Sequence, residues 1–140
     1  MRVFIDANII IDVLLEREGF CEESSIVLSI CEQHKSALAP HTISNIFFIT
    51  RKDYSAKERK TMLLEILEYI DIVAIGKYQI TQALKNETID DFEDALQLEC
   101  AKEFNANYIV TRDRNAFKDT KIEILSPSEF IKQFANNNFQ

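Results

Sequence analysis

Residues 90–113 read DDFEDALQLECAKEFNANYIVTRD, and this stretch decides the fold. From about Phe92 to Phe104 the apolar side chains keep a helical rhythm. Ala95, Leu98 and Ala101 fall near one side, and Leu96, Cys100 and Phe104 near another. Asp90, Asp91 and Asp94 stand at the amino end of that helix. A clear strand, Tyr108–Thr111, follows and runs out into Thr111, Arg112 and Asp113. A helix that feeds directly into a short apolar strand is half of a βαβ crossover. Such crossovers imply a parallel sheet covered on both faces.

The flanking sequence repeats the alternation. Four more apolar segments read as strands: Arg2–Ile5, a weak Ser36–Ala39 stopped by Pro40, Asp71–Ile75 before Gly76, and Lys121–Leu125. Between them lie helical patterns around Ser25–Cys31 and Thr42–Lys52. Another opens on a Ser55/Glu58 capping box and runs to about Tyr69. Ser126-Pro127-Ser128-Glu129 is a further helix start, with Ser as cap, Pro at the first position and Glu three after the cap. The class is α/β: a three-layer α/β/α domain with a mostly parallel sheet of about five strands. One domain is expected over residues 1–140, with the polar, Asn-rich Ala135–Gln140 a frayed tail.

Composition narrows the function. Of 140 residues 46% are hydrophobic and 28% charged, both ordinary for a soluble globular protein. No apolar stretch approaches the ~20 residues that span a bilayer, and the first strand is interrupted at once by Asp6. No membrane association is expected. The net charge is −7, with 23 acidic against 16 basic residues, so bulk electrostatics would repel nucleic acid. An RNA ligand would need a cation at the site and local contacts. Cys21, Cys31 and Cys100 contain no Cys-x-x-Cys pair, and they read as reduced thiols of a cytoplasmic protein. Gly19 and Gly76 are the only glycines and are placed in no phosphate-cradling loop, which removes P-loop and dinucleotide-binding motifs.

Ligands of open α/β sheets bind beyond the carboxyl ends of the strands. Asp6 and Asn8 follow the first strand there, and Thr111, Arg112 and Asp113 follow the fourth. Asp90, Asp91 and Asp94 open the helix that leads into the fourth. Each has a structural alternative. Asp6 could cap the next helix. Asp91 and Asp94 could be first-turn residues favoured by the helix dipole. Asp113 could be a turn residue, and Asp12 a solvent-facing helix residue or a local hydrogen-bond partner. Together they change the weighing, because converging carboxylates must protonate or bind a cation. Oxygen ligands suit Mg2+ or Mn2+, and such an ion can activate water for phosphoryl displacement. His34 and His41 match no zinc spacing and receive no metal role. A dehalogenase-type phosphatase would want Asp where Asn8 stands. A response-regulator receiver would want its Asp at the end of the third strand, whereas Asp71 begins it.

Three blocks, VFIDANIIIDVLLERE (residues 3–18), the quoted residues 90–113, and NAF (residues 115–117), resemble PIN domains, in particular the small prokaryotic ones. Some of these are the ribonuclease toxins of toxin–antitoxin pairs. The similarity runs from Arg2 to about Ser128. It implies a Rossmann-like parallel sheet with four acidic positions at one end that bind magnesium or manganese for RNA hydrolysis. Asp6 matches the first position, Asp94 the third and Asp113 the fourth. Asn8 matches the polar companion of the first, and Asp91 looks like an extra carboxylate one turn before Asp94. The second position, usually Glu, aligns with Asn45. An amide offers a carbonyl oxygen but no charge, so cation affinity should fall unless Asp91 or Asp90 compensates.

The expected function is therefore a metal-dependent endoribonuclease with Asp6, Asp94 and Asp113 as catalytic metal ligands and Asp91 as a further metal residue. Asn8, Asn45 and Thr111 support the site. The alternative is a catalytically weak PIN-like module that binds RNA or a protein without cutting. Arg112 and Arg114, flanking Asp113, are the expected RNA phosphate contacts. Arg51, Lys52, Lys57, Arg59 and Lys60 read as a solvated face. The expected partners are RNA, an antitoxin protein, and a second copy packed on the apolar helix that carries Ile46, Phe47, Phe48 and Ile49.

Overall fold

The computed structural model describes residues 1–135. Five strands form one parallel sheet: β1 (Arg2–Ile5), β2 (Lys35–Leu38), β3 (Asp71–Ile72), β4 (Tyr108–Val110) and β5 (Glu123–Leu125), in the order β3-β2-β1-β4-β5. The helices are α1 (Ala7–Leu14), α2 (Cys21–Cys31), α3 (Pro40–Ile49), α4 (Ala56–Leu67), α5 (Lys77–Lys85), α6 (Phe92–Glu103) and α7 (Pro127–Ala135). The expected α/β class and three layers hold.

Strand alternation divides the core. Val3, Ile5, Leu38 and Val110 point to one face and pack with residues of α1 to α4 and α7. Phe4, Ala37 and Ile109 point to the other and pack with residues of α5 and α6. The sheet is buried on both faces, which explains why its strands read as near-continuous apolar runs. α6 lies under α5, and every residue from Ala95 to Ala101 is buried. Its apolar residues therefore fall on two faces.

Local signals set the helix starts. The Ser55 hydroxyl accepts from Glu58 N–H and the Glu58 carboxylate accepts from Ser55 N–H, both at 3.1 Å. The same reciprocal pair forms between Ser126 and Glu129, both at 3.2 Å. All three cysteines are free. Burial pushes the Cys31 and Cys100 thiols up to about 12, so both are inert.

Strand lengths differ from expectation at the edges. The expected strand Asp71–Ile75 reduces to Asp71–Ile72, both exposed. Val73 still donates to Leu38 O at 3.1 Å. β2 ends there, because Pro40 opens α3 and the chain beyond Leu38 has no ladder to offer. The last strand begins at Glu123, not Lys121. α5 was not anticipated; its sequence KYQITQALK buries only Ala83, and Tyr78, Ile80 and Leu84 are exposed. The expected fraying after Ala135 lies outside the described residues.

Candidate active site

β1 and β4 are neighbours, and the chain leaves them toward opposite flanks of the sheet. Their carboxyl ends therefore open a crevice, the usual ligand site of such sheets. The pairing Ile5↔Val110 continues one step further, with Asp6 N–H donating to Val110 O at 3.0 Å. Asp6 and Thr111 thus emerge side by side.

Asp6 occupies the N-cap of α1, yet its side chain makes no capping bond. It forgoes about 1 kcal/mol of helix stabilisation. Its carboxylate turns instead into the crevice and is 7% exposed. There Oδ2 accepts from Thr111 Oγ1 at 2.7 Å and Asn8 Nδ2 at 3.4 Å, and Oδ1 accepts from Gln97 Nε2 at 3.2 Å. Thr111 is fully buried, and its hydroxyl also accepts from Asp113 N–H at 3.0 Å, fixing the turn that carries Asp113.

The opposite wall comes from α6 and α3. Asp91 caps α6 by accepting from Asp94 N–H at 3.0 Å. One cavity of about 230 Å3 is lined by Asp6, Asn8, Asn45, Glu93, Asp94 and Asp113, together with His41, Thr42 and Gln97. Asp91 and Asp90 are not on that lining; with Asp94 and Lys118 they face an adjacent hollow. A larger groove of about 670 Å3 lies between α3 and α4, but its walls are nearly all apolar. The acidic side chains line the smaller one.

Electrostatics identify the focus of that cavity. Asp94 is half-buried and its carboxyl is pushed up to about 6, first by burial, then by the charges of Asp91, Asp6, Asp113 and Glu93. Four carboxylates thus act on a fifth. Burial holds the His41 imidazole below its ordinary value, against the raising influence of Glu93 and Asp6.

Among the described residues three buried side-chain atoms lack a hydrogen-bond partner: His41 Nδ1, Thr42 Oγ1 and Gln97 Oε1. All three residues line the acidic cavity. Each such atom costs about 1–3 kcal/mol unless something satisfies it, and all three belong to residues around the one cavity. The donor set is rich in hard oxygens, as magnesium or manganese requires. As the side chains stand, no group of three His, Cys, Asp or Glu among the described residues is arranged to hold an ion directly. Water would complete any coordination sphere, in keeping with magnesium's reluctance to dehydrate.

The expected site residues Asp6, Asn8, Asn45, Asp94 and Asp113 meet around the one cavity, and Thr111 supports them from behind. Arg112 and Arg114, the expected phosphate contacts, do not line the cavity. Arg112 forms a two-pronged ion pair with Asp12 and stacks over Phe20, 4.1 Å from the ring centroid. Arg114 pairs with Glu129 at 3.0 Å. Both guanidiniums thus have acidic neighbours, Arg112 at a buried carboxylate and Arg114 at the surface. Asp12 is not solvent-facing. It is fully buried and also accepts from Ser24 Oγ at 3.2 Å, because a buried charge must be paired. Glu93, Gln97, His41 and Thr42 were not anticipated. Glu93 sits beside Asp94 in the quoted stretch, but which side of the helix faced the crevice depended on packing.

The PIN domain family model matches residues 2–115. Ribonuclease VapC1 of Aquifex aeolicus is 25% identical over 139 residues, covering 95% of each chain. Among solved structures, VapBC2 from Rickettsia felis bound to a promoter DNA fragment superposes with a TM-score of 0.71 at 13% identity, covering 90% of this chain and 98% of that one. A toxin–antitoxin complex from Klebsiella pneumoniae gives 0.67 at 22% identity, covering 89% and 97%.

Proposed function

We propose a function from one premise: this chain belongs to the PIN domain family, whose model matches residues 2–115. It acts as an endoribonuclease dependent on Mg2+ or Mn2+, and it is the toxin partner of an antitoxin protein. The observation that carries the reading is the cavity where Asp6, Asp94 and Asp113 face one another, with Asp94 pushed up to about 6 by the charges around it. Uncompensated, that arrangement is repulsive, and a divalent cation is the natural relief. The relative's name, ribonuclease, supports RNA as substrate.

Asp6, Asp94 and Asp113 hold the ion, directly or through water. Bound there, the cation supplies a Lewis acid and lowers the pKa of a coordinated water. Thr111 and Gln97 fix the Asp6 carboxylate by a bond to each oxygen, so that it meets the ion without reorganising. Asn8 bonds the same carboxylate and orients it further. Asp91 keeps one oxygen on the helix cap and contributes its charge. His41, neutral through burial, is the group placed to hydrogen-bond a phosphate or a water at the α3 wall. With Arg112 and Arg114 engaged elsewhere, phosphate attraction falls to the cation.

The family's complexes support a protein partner, and the groove between α3 and α4 offers an apolar seat lined by Ile43, Phe47, Leu63, Leu64 and Leu67. Phe48 and Ile49, exposed at the end of α3, support self-association. No helix among the described residues is long and apolar enough to cross a membrane. A cytoplasmic location fits the free cysteines. A second reading, an RNA- or protein-binding module without cleavage, is favoured by the amide at Asn45. Incubation of RNA with the purified chain and manganese separates them. Fragments that vanish with chelator support the enzyme, and binding without fragments supports the module.

A further inference from the structure

The PIN resemblance implies a carboxylate on the α3 wall, and Asn45 lines the cavity there instead. The facing helix supplies a substitute. Asn45 Nδ2 donates to Glu93 Oε2 at 3.1 Å, which draws the Glu93 side chain from the first turn of α6 across to α3. We propose that Glu93 is the fourth acidic residue of the metal site, held over the cavity by Asn45 as its positioning residue.

The inference rests on the metal-site reading above and adds a residue to it. Three observations converge on Glu93, and the first of them separates it from Asp91. Glu93 lines the cavity with Asp6, Asp94 and Asp113, whereas Asp91 lies outside that lining with one oxygen spent on the helix cap. The Glu93 charge is felt at both Asp94 and His41, so it belongs to the same electrostatic cluster. The wall beside it also holds the unpartnered atoms. Thr42 is 1% exposed and Gln97 4% exposed, and each has a buried side-chain oxygen without a hydrogen-bond partner. An additional anionic arm on a lining that already holds Asp6, Asp94 and Asp113 suits a cation, not an anion.

An amide is also the side chain this wall needs. A carboxylate at residue 45 would oppose Glu93 at hydrogen-bonding distance, so the two positions cannot both be charged without a cation between them. The acidic charge has changed helices, and residue 45 has become the donor that orients it.

Manganese binding by calorimetry, with metal-free melting in parallel, tests the exchange. Affinity of oxygen-ligand sites follows the charge of the ligands, so Glu93→Gln should weaken manganese binding by roughly tenfold or more. The double variant Asn45→Glu/Glu93→Gln, which moves the charge back to α3 and keeps a complementary pair, should recover to within about threefold of the parent. Glu103→Gln, at the far end of α6, serves as the control and should bind like the parent. Metal-free Glu93→Gln should melt no lower than the parent, because it removes a charge that repels Asp94. Unchanged affinity in Glu93→Gln overturns the inference alone, as does a loss in Asp91→Asn without one in Glu93→Gln. Failure of the double variant to recover, with its fold intact by circular dichroism, overturns the exchange between helices. No manganese binding by the parent overturns both the inference and the site reading beneath it.

Discussion

Replacing Asp94 by Asn should make the metal-free protein more stable at neutral pH, although it removes an acid from a helix amino end where acids are favoured. The rise of its carboxyl from 3.8 to about 6 sets a ceiling of roughly 3 kcal/mol on the destabilisation. The group is only half-buried, so solvent screens much of that, and about 1 kcal/mol is the expected gain. Asn has the same shape, and among the described residues the Asp94 carboxylate makes no hydrogen bond that the change would break. The folded-state value lies above the unfolded one, so protonation favours the fold. That contribution is full below about pH 4 and is lost as pH rises through about 6. Thermal melts of both proteins in chelator should separate by about 3 °C at pH 7.5 and converge toward pH 4.5. A variant less stable than the parent at pH 7.5, or an advantage equal at both pH values, would refute the repulsive cluster.

Arg112→Ala should destabilise by about 3–5 kcal/mol, because it leaves the Asp12 carboxylate buried without its main partner; urea unfolding measures this, and a change within 1 kcal/mol would return Arg112 to the pool of free phosphate contacts. Asn45→Glu alone should lower metal-free stability and tighten manganese binding, since it places a second carboxylate opposite Glu93; melts with and without manganese read both effects, and no change in either would remove residue 45 from the site. Light scattering should show a dimer that Phe48→Lys weakens, given a Phe48 side chain 60% exposed beside exposed Ile49; a strict monomer at high concentration would end that reading.

What was legible in the sequence depended on whether a local pattern sufficed. The strands β1 and β4 were legible because two-sided burial makes them nearly uniform in character. Two helix starts were legible because Ser55/Glu58 and Ser126/Glu129 are self-contained devices. β3 was overextended because an edge strand is limited by its neighbour's length, a fact that no window on Asp71–Ile75 contains. In the site, Asp6, Asp94 and Asp113 followed from their places at strand and helix ends. Glu93 was missed because the register of α6 against α3 decides whether residue 93 or 91 faces the crevice. The ion pair of Arg112 was not legible for a related reason. Its partner Asp12 is a hundred residues away in sequence and meets it only once β1 and β4 lie side by side.

The central claim is that Asp6, Asp94 and Asp113 form one cation-dependent centre for cutting RNA. Cleavage of a fluorescent RNA, followed against added manganese in the parent and in Asp6→Asn, Asp94→Asn and Asp113→Asn, tests it most directly. The account predicts saturable, chelator-sensitive cleavage in the parent and a fall of roughly a hundredfold or more in each variant, the scale of losing a transition-state charge contact. Equal cleavage in excess chelator, or full activity in all three variants, would contradict it.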